Sequence, residues 1–186
     1  MDTEGRRRQI LEIITAQGPV TGAELSRRLG VSRQVIVQDV AILRARGQDI
    51  LATASGYTTP EYARIKGCVR TFICRHGLGD LEKELMLIVR HNGRVLDVVV
   101  EHPVYGELRG LLMLSTPEEV KRFTARLLAS GAQPLLALTR GVHVHTVEAA
   151  TEEDLNTMEA ALEREGLLFP AAGEGYGFFM AQVTRQ

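Results

Sequence analysis

The sequence contains no long apolar run, and this absence excludes a helix that spans a membrane. No stretch of about 18 apolar residues occurs among its 186 residues. Arginines at positions 6 to 8 resemble the charged start of a signal peptide, but Glu12 interrupts the apolar positions that would have to follow. We therefore expect a cytoplasmic protein that makes no contact with a membrane.

The sequence also contains little cysteine. Cys68 and Cys74 are the only two in the chain, and two cysteines cannot form the disulfide framework of a small secreted protein. Both lie in an apolar segment, so we expect buried free thiols. Internal repeats and low-complexity segments are absent as well, which leaves an ordinary globular chain of one or two domains.

The chain carries little net charge, but the charge is unevenly distributed. Its formal net charge is −1 at pH 7. Residues 1–60 hold 8 basic against 6 acidic side chains, whereas residues 61–186 hold 14 against 17. All the basic residues of the first part are arginines, whose planar guanidinium suits phosphates and guanine edges. The first third is therefore a candidate for binding nucleic acid.

Three helices are predicted in this first third. The first covers residues 4–17 and ends at Gly18-Pro19, and the second begins at Thr21 as its cap and stops at Gly30. Ser32 then caps a third helix that reaches about Arg46. Two helices joined by a short turn that contains glycine, after a leading helix, are typical of a helix-turn-helix.

The third helix has two faces, as a DNA-reading helix requires. Ile36, Val40 and Leu43 recur at helical spacing and are predicted to be buried. The start of such a helix usually enters the major groove, and arginine at its end suits phosphate. The predicted DNA-binding residues are Ser32, Arg33, Gln34, Val37, Gln38 and Arg44. The alternative is a small helical domain that contacts another protein.

A hairpin and a linker follow the helices. Residues 50–59 alternate around Ala54-Ser55-Gly56, which predicts a short β-hairpin, the wing of a winged helix-turn-helix. Pro60-Glu-Tyr-Ala resembles a linker. We therefore expect a DNA-binding domain over residues 1–59, a linker over 60–66 and a second domain over 67–186.

The second domain alternates strands with single helices. The pattern predicts strands at residues 68–76, 94–101 and 107–114 and around His143, and helices at 79–91, 116–129 and 151–165. A further strand at Tyr176 to Val183 is possible. This order indicates an α+β fold, a two-layer sandwich with a mainly antiparallel sheet.

Two histidines in one predicted strand are candidate metal ligands. In a strand, His143 and His145 point to the same face, about 6.5–7 Å apart along the chain. His76 and His102 lie at other strand ends, and Glu84 lies in the following helix. Imidazoles with a carboxylate suit zinc, nickel or iron. The alternative is an ordinary hydrogen-bonded histidine pair, and His91 is predicted to be a plain helix-end residue.

Two segments carry a resemblance to a known family. Arg94-Val-Leu-Asp-Val-Val-Val-Glu-His-Pro-Val-Tyr-Gly-Glu107 and Gly141-Val-His-Val-His-Thr-Val-Glu-Ala149 resemble the signature segments of the three-histidine domain. That domain follows a winged helix-turn-helix in the niacin-responsive transcriptional repressors of bacteria. The resemblance implies an HPr-like α/β sandwich that binds one divalent metal per chain and senses nicotinic acid or nicotinamide.

Residue by residue, the resemblance implies specific roles. The family's metal ligands correspond to His76, Glu84, His143 and His145, with Glu82 and Asp80 as alternative carboxylates. His102 and Tyr105 belong to the Glu-His-Pro-Val-Tyr-Gly segment, and we assign them to ligand binding.

The resulting hypothesis is a homodimeric repressor of genes for NAD synthesis or niacin uptake. It would bind a palindromic operator on double-stranded DNA, with half-sites about 34–36 Å apart. Two other classes remain open: a regulator to which the metal itself is the signal, and a metal-dependent hydrolase fused to a DNA-binding module.

Overall fold

The computed structural model describes residues 2–169, and the possible strand at Tyr176 to Val183 lies outside this range. The first part consists of three helices and a hairpin, as predicted. Their bounds are α1 (Thr3–Gln17), α2 (Gly22–Leu29), α3 (Arg33–Ala45), β1 (Leu51–Thr53) and β2 (Gly56–Thr58).

Local signals decide where these helices begin and end. The Thr21 hydroxyl accepts a hydrogen bond from the Glu24 N–H at 3.1 Å and caps α2, and the Ser32 hydroxyl accepts from the Val35 N–H at 3.3 Å and caps α3. Gly30 ends α2 in the left-handed conformation, which glycine adopts without steric cost. The helix-turn-helix is therefore specified largely by its own sequence.

One apolar core holds the three helices and the hairpin together. The predicted stripe of α3 is buried, and Val20 pairs with Tyr57 through two N–H···O bonds of 2.9 Å, so the hairpin is attached as a wing. The buried side chains are Ile10, Ile14, Val20, Leu25, Ile36, Val40, Leu43 and Ile50.

The predicted linker contains a short helix, α4 (Pro60–Ala63). At its far end the backbone N–H groups of Lys66 and Gly67 both donate to the buried carboxylate of Glu148. This attachment, to a strand more than 80 residues away in the sequence, ties the segment to the second part of the chain.

The second part has four strands and three further α-helices. The strands are arranged in the order β3-β6-β4-β5, and every neighbouring pair is antiparallel. The α+β prediction is confirmed. The bounds are β3 (Cys68–Arg75), α5 (Leu81–Arg90), β4 (Arg94–His102), β5 (Gly106–Leu114), α6 (Pro117–Ser130), β6 (Val142–Ala149) and α7 (Glu152–Arg164).

The helix after β3 begins later than predicted. A 3-10 turn occupies Leu78–Asp80, and α5 begins only at Leu81. Gly77 and Gly79 explain the delay, because glycine weakens a helix. The shift places Glu84 in the first turn of α5. A second 3-10 turn, Leu135–Thr139, lies in the segment before β6.

The helices and the sheet enclose a second apolar core. The predicted inward residues of α5 and α7, among them Leu85, Ile88, Leu155 and Met158, are fully or almost fully buried. Within residues 2–169, no helix is both long and apolar enough to cross a bilayer.

Candidate metal centre and DNA-reading surface

The central strand β6 presents two histidines to the helices, as the alternation predicts. His143 lies opposite Cys74 of β3, and His145 lies opposite Phe72. Residues paired in this way point to the same face of an antiparallel sheet. Both imidazoles are buried beneath α5.

Glu84 brings the predicted metal residues together. Its side chain is fully buried, and its Oε2 atom lies 2.7 Å from Nε2 of His76, 3.2 Å from Nε2 of His143 and 3.3 Å from Nε2 of His145. Two imidazole nitrogens from β6 and one from the residue that follows β3 thus converge on one oxygen from a helix. The four residues are separated by up to 69 positions in the sequence, and only the fold unites them.

Each histidine is oriented by a hydrogen bond on its other ring nitrogen. In all three, Nδ1–H can donate to a backbone carbonyl, which leaves Nε2 turned towards Glu84. This is the arrangement that fixes metal-binding imidazoles in proteins. For His76, His143 and His145 in turn, the acceptors are the carbonyls of Gly77 (2.9 Å), Gly141 (2.9 Å) and Asp97 (2.7 Å).

Gly141 is needed at this site for steric reasons. It has a positive φ of 91°, and a Cβ atom here would lie only 2.3 Å from the carbonyl oxygen of His76. Its own carbonyl orients His143. Any other residue would therefore force apart the strand ends that carry His76 and His143.

Charge within the cluster shifts several pKa values. Burial acts to raise the pKa of Glu84, but His145, His143 and His76 together hold that pKa well below its ordinary range. Burial acts to lower the pKa of His76 and of His145, but the hydrogen bonds and charge of Glu84 raise both. The site therefore favours positive charge around a buried carboxylate, which protons or a cation can supply.

The second carboxylate oxygen of Glu84 is also buried. Oε1 has no hydrogen-bond partner among the described residues. Cys74 lies close to the carboxylate: donor atoms of Cys74, Glu84 and His143 are all within 4.8 Å of one another. The sequence pattern predicted Cys74 only as a buried thiol, although its spacing from His76 on β3 could have indicated a shared face.

The alternative carboxylates do not join the cluster. Glu82 is exposed and accepts a hydrogen bond from Thr124 at 2.6 Å, and Asp80 belongs to the 3-10 turn. Glu84 is the carboxylate that contacts the histidines. His91 ends α5, as predicted.

A cavity of about 280 Å³ adjoins Glu84, His143 and His145. Its other walls are mostly apolar, and the one further polar side chain among the described residues that line it is Gln133. Ala54, at the tip of the wing, also lines it. The remaining lining residues are Leu81, Leu85, Val98, Gly110, Leu111, Leu112, Phe123, Leu127, Pro134, Leu135 and Leu136.

The structure does not bring His102 and Tyr105 to this cavity. His102 is the last residue of β4 and Tyr105 lies in the turn that follows, where the Nδ1 atom of His102 accepts hydrogen bonds from the Val104 and Tyr105 N–H groups at 3.2 Å. Tyr105 is 74% exposed. In the described part of the chain, His102 holds a turn, so the ligand-binding prediction for both residues rests on the resemblance alone.

The start of α3 is an exposed, polar surface. Arg33, Gln34, Val37 and Gln38 are all exposed, and Val37 is 48% exposed although it is apolar. Ser32 is exposed too, but its hydroxyl is occupied in capping α3. Arg44 is the remaining predicted DNA contact. Its Nε–H donates to the Ile50 carbonyl at 2.8 Å, and the residue is exposed.

Several arginines of this part are paired within the protein. The guanidinium groups of Arg6 and Arg7 contact the buried carboxylate of Asp39 at 2.6 and 2.9 Å. Asp39 lies on α3, so these ion pairs join α1 to α3. The composition did not indicate this pairing, nor those of Arg27 and Arg28 with Glu24 and of Arg46 with Glu4.

Comparisons with known proteins agree with both halves of this description. Residues 6–58 match the helix-turn-helix (HTH) domain family, and residues 69–171 match the 3H domain family. A relative from Thermotoga maritima, named probable transcription repressor NiaR, is 42% identical over 164 residues, covering 88% of this chain and 93% of its own. The transcription repressor NadR of Bacillus subtilis is 38% identical over 170 residues, covering 90% and 94%.

These matches extend over nearly the whole chain and join a DNA-binding module to the domain that holds the histidine cluster. They identify regulators and not enzymes, so the hydrolase hypothesis is set aside. The chain belongs to the family of niacin-responsive transcription repressors.

Proposed function

We propose that this repressor controls genes of NAD synthesis or niacin uptake, with nicotinic acid or nicotinamide as effector and a divalent metal in the sensor domain. The observation that carries the proposal is the convergence of three Nε2 atoms on Oε2 of Glu84. In this proposal residues 1–59 bind DNA, residues 60–66 link the two domains, and residues 67–186 bind the effector.

The donor set fits a first-row transition metal. Three imidazoles and one carboxylate are ligands that zinc, nickel and iron accept, and the carbonyls that hold each Nδ1–H keep the rings oriented before an ion arrives. His76, Glu84, His143 and His145 would hold the ion. When bound, such an ion supplies a Lewis acid to which a pyridine nitrogen or carboxylate can bind.

The neighbouring cavity suits a small aromatic ring. An apolar cavity of about 150 Å³ can hold benzene, so about 280 Å³ leaves room for a pyridine ring with one substituent. His143, His145 and Glu84 lie at one wall. The Gln133 amide can exchange hydrogen bonds with a carboxylate or carboxamide.

The wing offers a direct route from this cavity to DNA. Ala54 lines the cavity, its N–H donates to the Leu111 carbonyl of β5, and its own carbonyl accepts from the Arg126 guanidinium. A ligand that changes the position of Ala54 changes the position of the wing and of the helix-turn-helix attached to it. A tenfold change in operator affinity requires about 1.4 kcal/mol of such coupling.

We further propose that the repressor acts as a homodimer. Two copies of α3 would then read a palindrome on double-stranded DNA, with half-sites about 34–36 Å apart or a multiple of this. Analytical ultracentrifugation of the full chain, with and without an operator fragment, measures the mass of the DNA-bound species. A single protein copy on the palindrome would contradict the dimer.

The central test measures binding to DNA upstream of a niacin-uptake or NAD-synthesis gene, in a matrix of metal and nicotinate concentrations. We expect nicotinate to change operator affinity only in metal-loaded protein, and Glu84→Ala to abolish that response. Glu82→Ala is the matched control, because Glu82 lies on the same helix but is exposed and outside the cluster. A nicotinate response that persists in metal-free Glu84→Ala protein would remove the metal from the proposal.

The same matrix of concentrations distinguishes a niacin sensor from a regulator to which the metal itself is the signal. If the ion itself is the signal, metal alone changes operator affinity and nicotinate adds nothing. The apolar cavity beside the cluster favours an organic effector over metal as the signal, since a sensor of metal alone has no need of such a cavity.

A further inference from the structure

We propose that Cys74 is an additional ligand of the metal, and that it binds the ion from the strand side of the cluster. This inference rests on the proposed metal site and extends it by one residue. The set of donors would then be three imidazoles, one carboxylate and one thiolate.

The position of Cys74 on the sheet is the first argument. Cys74 pairs directly with His143 across β3 and β6, and it lies two residues before His76, which directly follows β3. Cys74 is completely buried. Cys74 at the end of β3, His76 directly after it and two histidines of β6 therefore lie near Glu84.

The unused oxygen of Glu84 is the second, independent argument. Oε2 is occupied by the three histidines, whereas Oε1 is buried without a hydrogen-bond partner in the described part of the chain. A buried carboxylate oxygen left unpaired is costly, and an ion beside it removes the cost. Donor atoms of Cys74, Glu84 and His143 all lie within 4.8 Å of one another, so the Cys74 thiol is near this carboxylate.

The position of Cys74 away from the cavity is compatible with effector binding at the metal. Glu84, His143 and His145 line the cavity, but Cys74 is not among its described lining residues. A thiolate bound from the strand side leaves the cavity-facing side of the ion accessible to the effector. On binding, the Sγ–H proton leaves to solvent and an Sγ–metal bond takes its place.

A thiolate would also narrow the choice of metal. Sulfur donors favour zinc, iron and other borderline or soft ions over hard ions such as magnesium or manganese, which prefer oxygen. Cys74→Ser should therefore weaken zinc binding more than manganese binding, and we expect a loss of at least about tenfold for zinc.

Cobalt(II) is a suitable optical probe of the full-length protein. A thiolate bound to cobalt gives a charge-transfer band in the near ultraviolet, whereas nitrogen and oxygen ligands give only the weaker visible bands. We expect the charge-transfer band in the unaltered protein and in Cys68→Ser, and its loss in Cys74→Ser. Cys68 is the matched control, on the same strand but outside the cluster.

Two optical results would overturn the assignment: visible cobalt bands without the charge-transfer band in the unaltered protein, or a band that survives in Cys74→Ser. A protein that binds no cobalt, zinc or nickel at all would instead defeat the underlying metal site, and the thiolate with it.

X-ray absorption of the zinc-loaded, unaltered protein gives a second measurement, which needs no substitution of Cys74. A sulfur neighbour at about 2.3 Å supports the assignment. A shell of nitrogen and oxygen alone, at about 2.0–2.2 Å, overturns it even if Cys74→Ser fails to fold.

Discussion

The backbone N–H of Ala54 donates to the carbonyl of Leu111 at 2.8 Å, which joins the tip of the wing to the edge strand of the second sheet. Ser55 strengthens this contact, since its hydroxyl lies 3.1 Å from the Met113 carbonyl. The wing is therefore in contact with both the cavity wall and the DNA-reading module.

Loss of the Arg126 contact should uncouple the effector from DNA. In Arg126→Ala the Ala54 carbonyl loses its charged donor, so we expect the ratio of operator affinities with and without nicotinate to fall severalfold towards one. Fluorescence anisotropy with labelled operator measures this ratio. Because coupling is reciprocal, the effect of operator on nicotinate affinity should shrink by the same factor.

Arg122→Ala is the control for that experiment. Arg122 lies one turn earlier on α6, is exposed and carries the same charge. An equal loss of coupling in both variants would mean that coupling depends on the positive charge of α6 and not on the hydrogen bond from Arg126 to Ala54.

Metal affinity should rise with pH. The pKa values of His76 and His145 lie above their ordinary 6.5, because Glu84 stabilises the protonated rings, and a metal must displace these protons. We expect affinity to rise by up to about tenfold per pH unit for each proton displaced, and to level off above the raised pKa values. Zinc titrations between pH 5.5 and 8.5, against a competing chelator, test this; a flat profile contradicts it.

Without metal, the pH dependence of stability should have the opposite sign. The raised histidine pKa values stabilise the folded protein fully below pH 6.5, and this contribution is lost as pH rises through the folded values. The lowered Glu84 pKa stabilises it above pH 4.5, and that contribution is lost as pH falls through the folded value. Metal-free protein should therefore melt highest at about pH 4.5–6.5, and Glu84→Ala should flatten the profile.

Gln38→Ala should weaken operator binding in a sequence-dependent way. A glutamine that pairs with a base edge contributes about 1–3 kcal/mol of discrimination, which is about 5- to 150-fold in affinity. Competition between the operator and unrelated DNA at fixed salt measures the loss. Gln9→Ala, on an exposed position of α1, should leave both affinities unchanged. If Gln38→Ala reduced binding to both DNAs equally, Gln38 would not read bases.

Asp39→Asn should destabilise the helix-turn-helix. Removal of the charge leaves Arg6 and Arg7 without their buried partner, so we expect the melting temperature to fall by several degrees. Asp49→Asn is the matched control, because Asp49 is exposed. Calorimetry of the full chain compares the two, and equal melting temperatures would show that the ion pair contributes little.

The sequence by itself determined the local elements of this protein. Caps such as Thr21 and Ser32, the left-handed Gly30 and the spacing of Ile36, Val40 and Leu43 act within a few residues, so they could be identified without a structure. The alternation in β6 likewise placed His143 and His145 on one face. The family resemblance supplied the selection of His76 and Glu84, which spacing alone could not make.

Only the tertiary structure decided which distant groups meet. The register of β3 against β6 places Cys74 opposite His143, and the packing of α5 carries Glu84, and neither Glu82 nor Asp80, onto the histidines. The same packing puts Ala54 at the cavity, whereas the His102 side chain accepts hydrogen bonds from the turn after β4. Periodicity fixes the face on which a side chain lies, but contacts between elements depend on strand register and helix packing, which no local pattern contains.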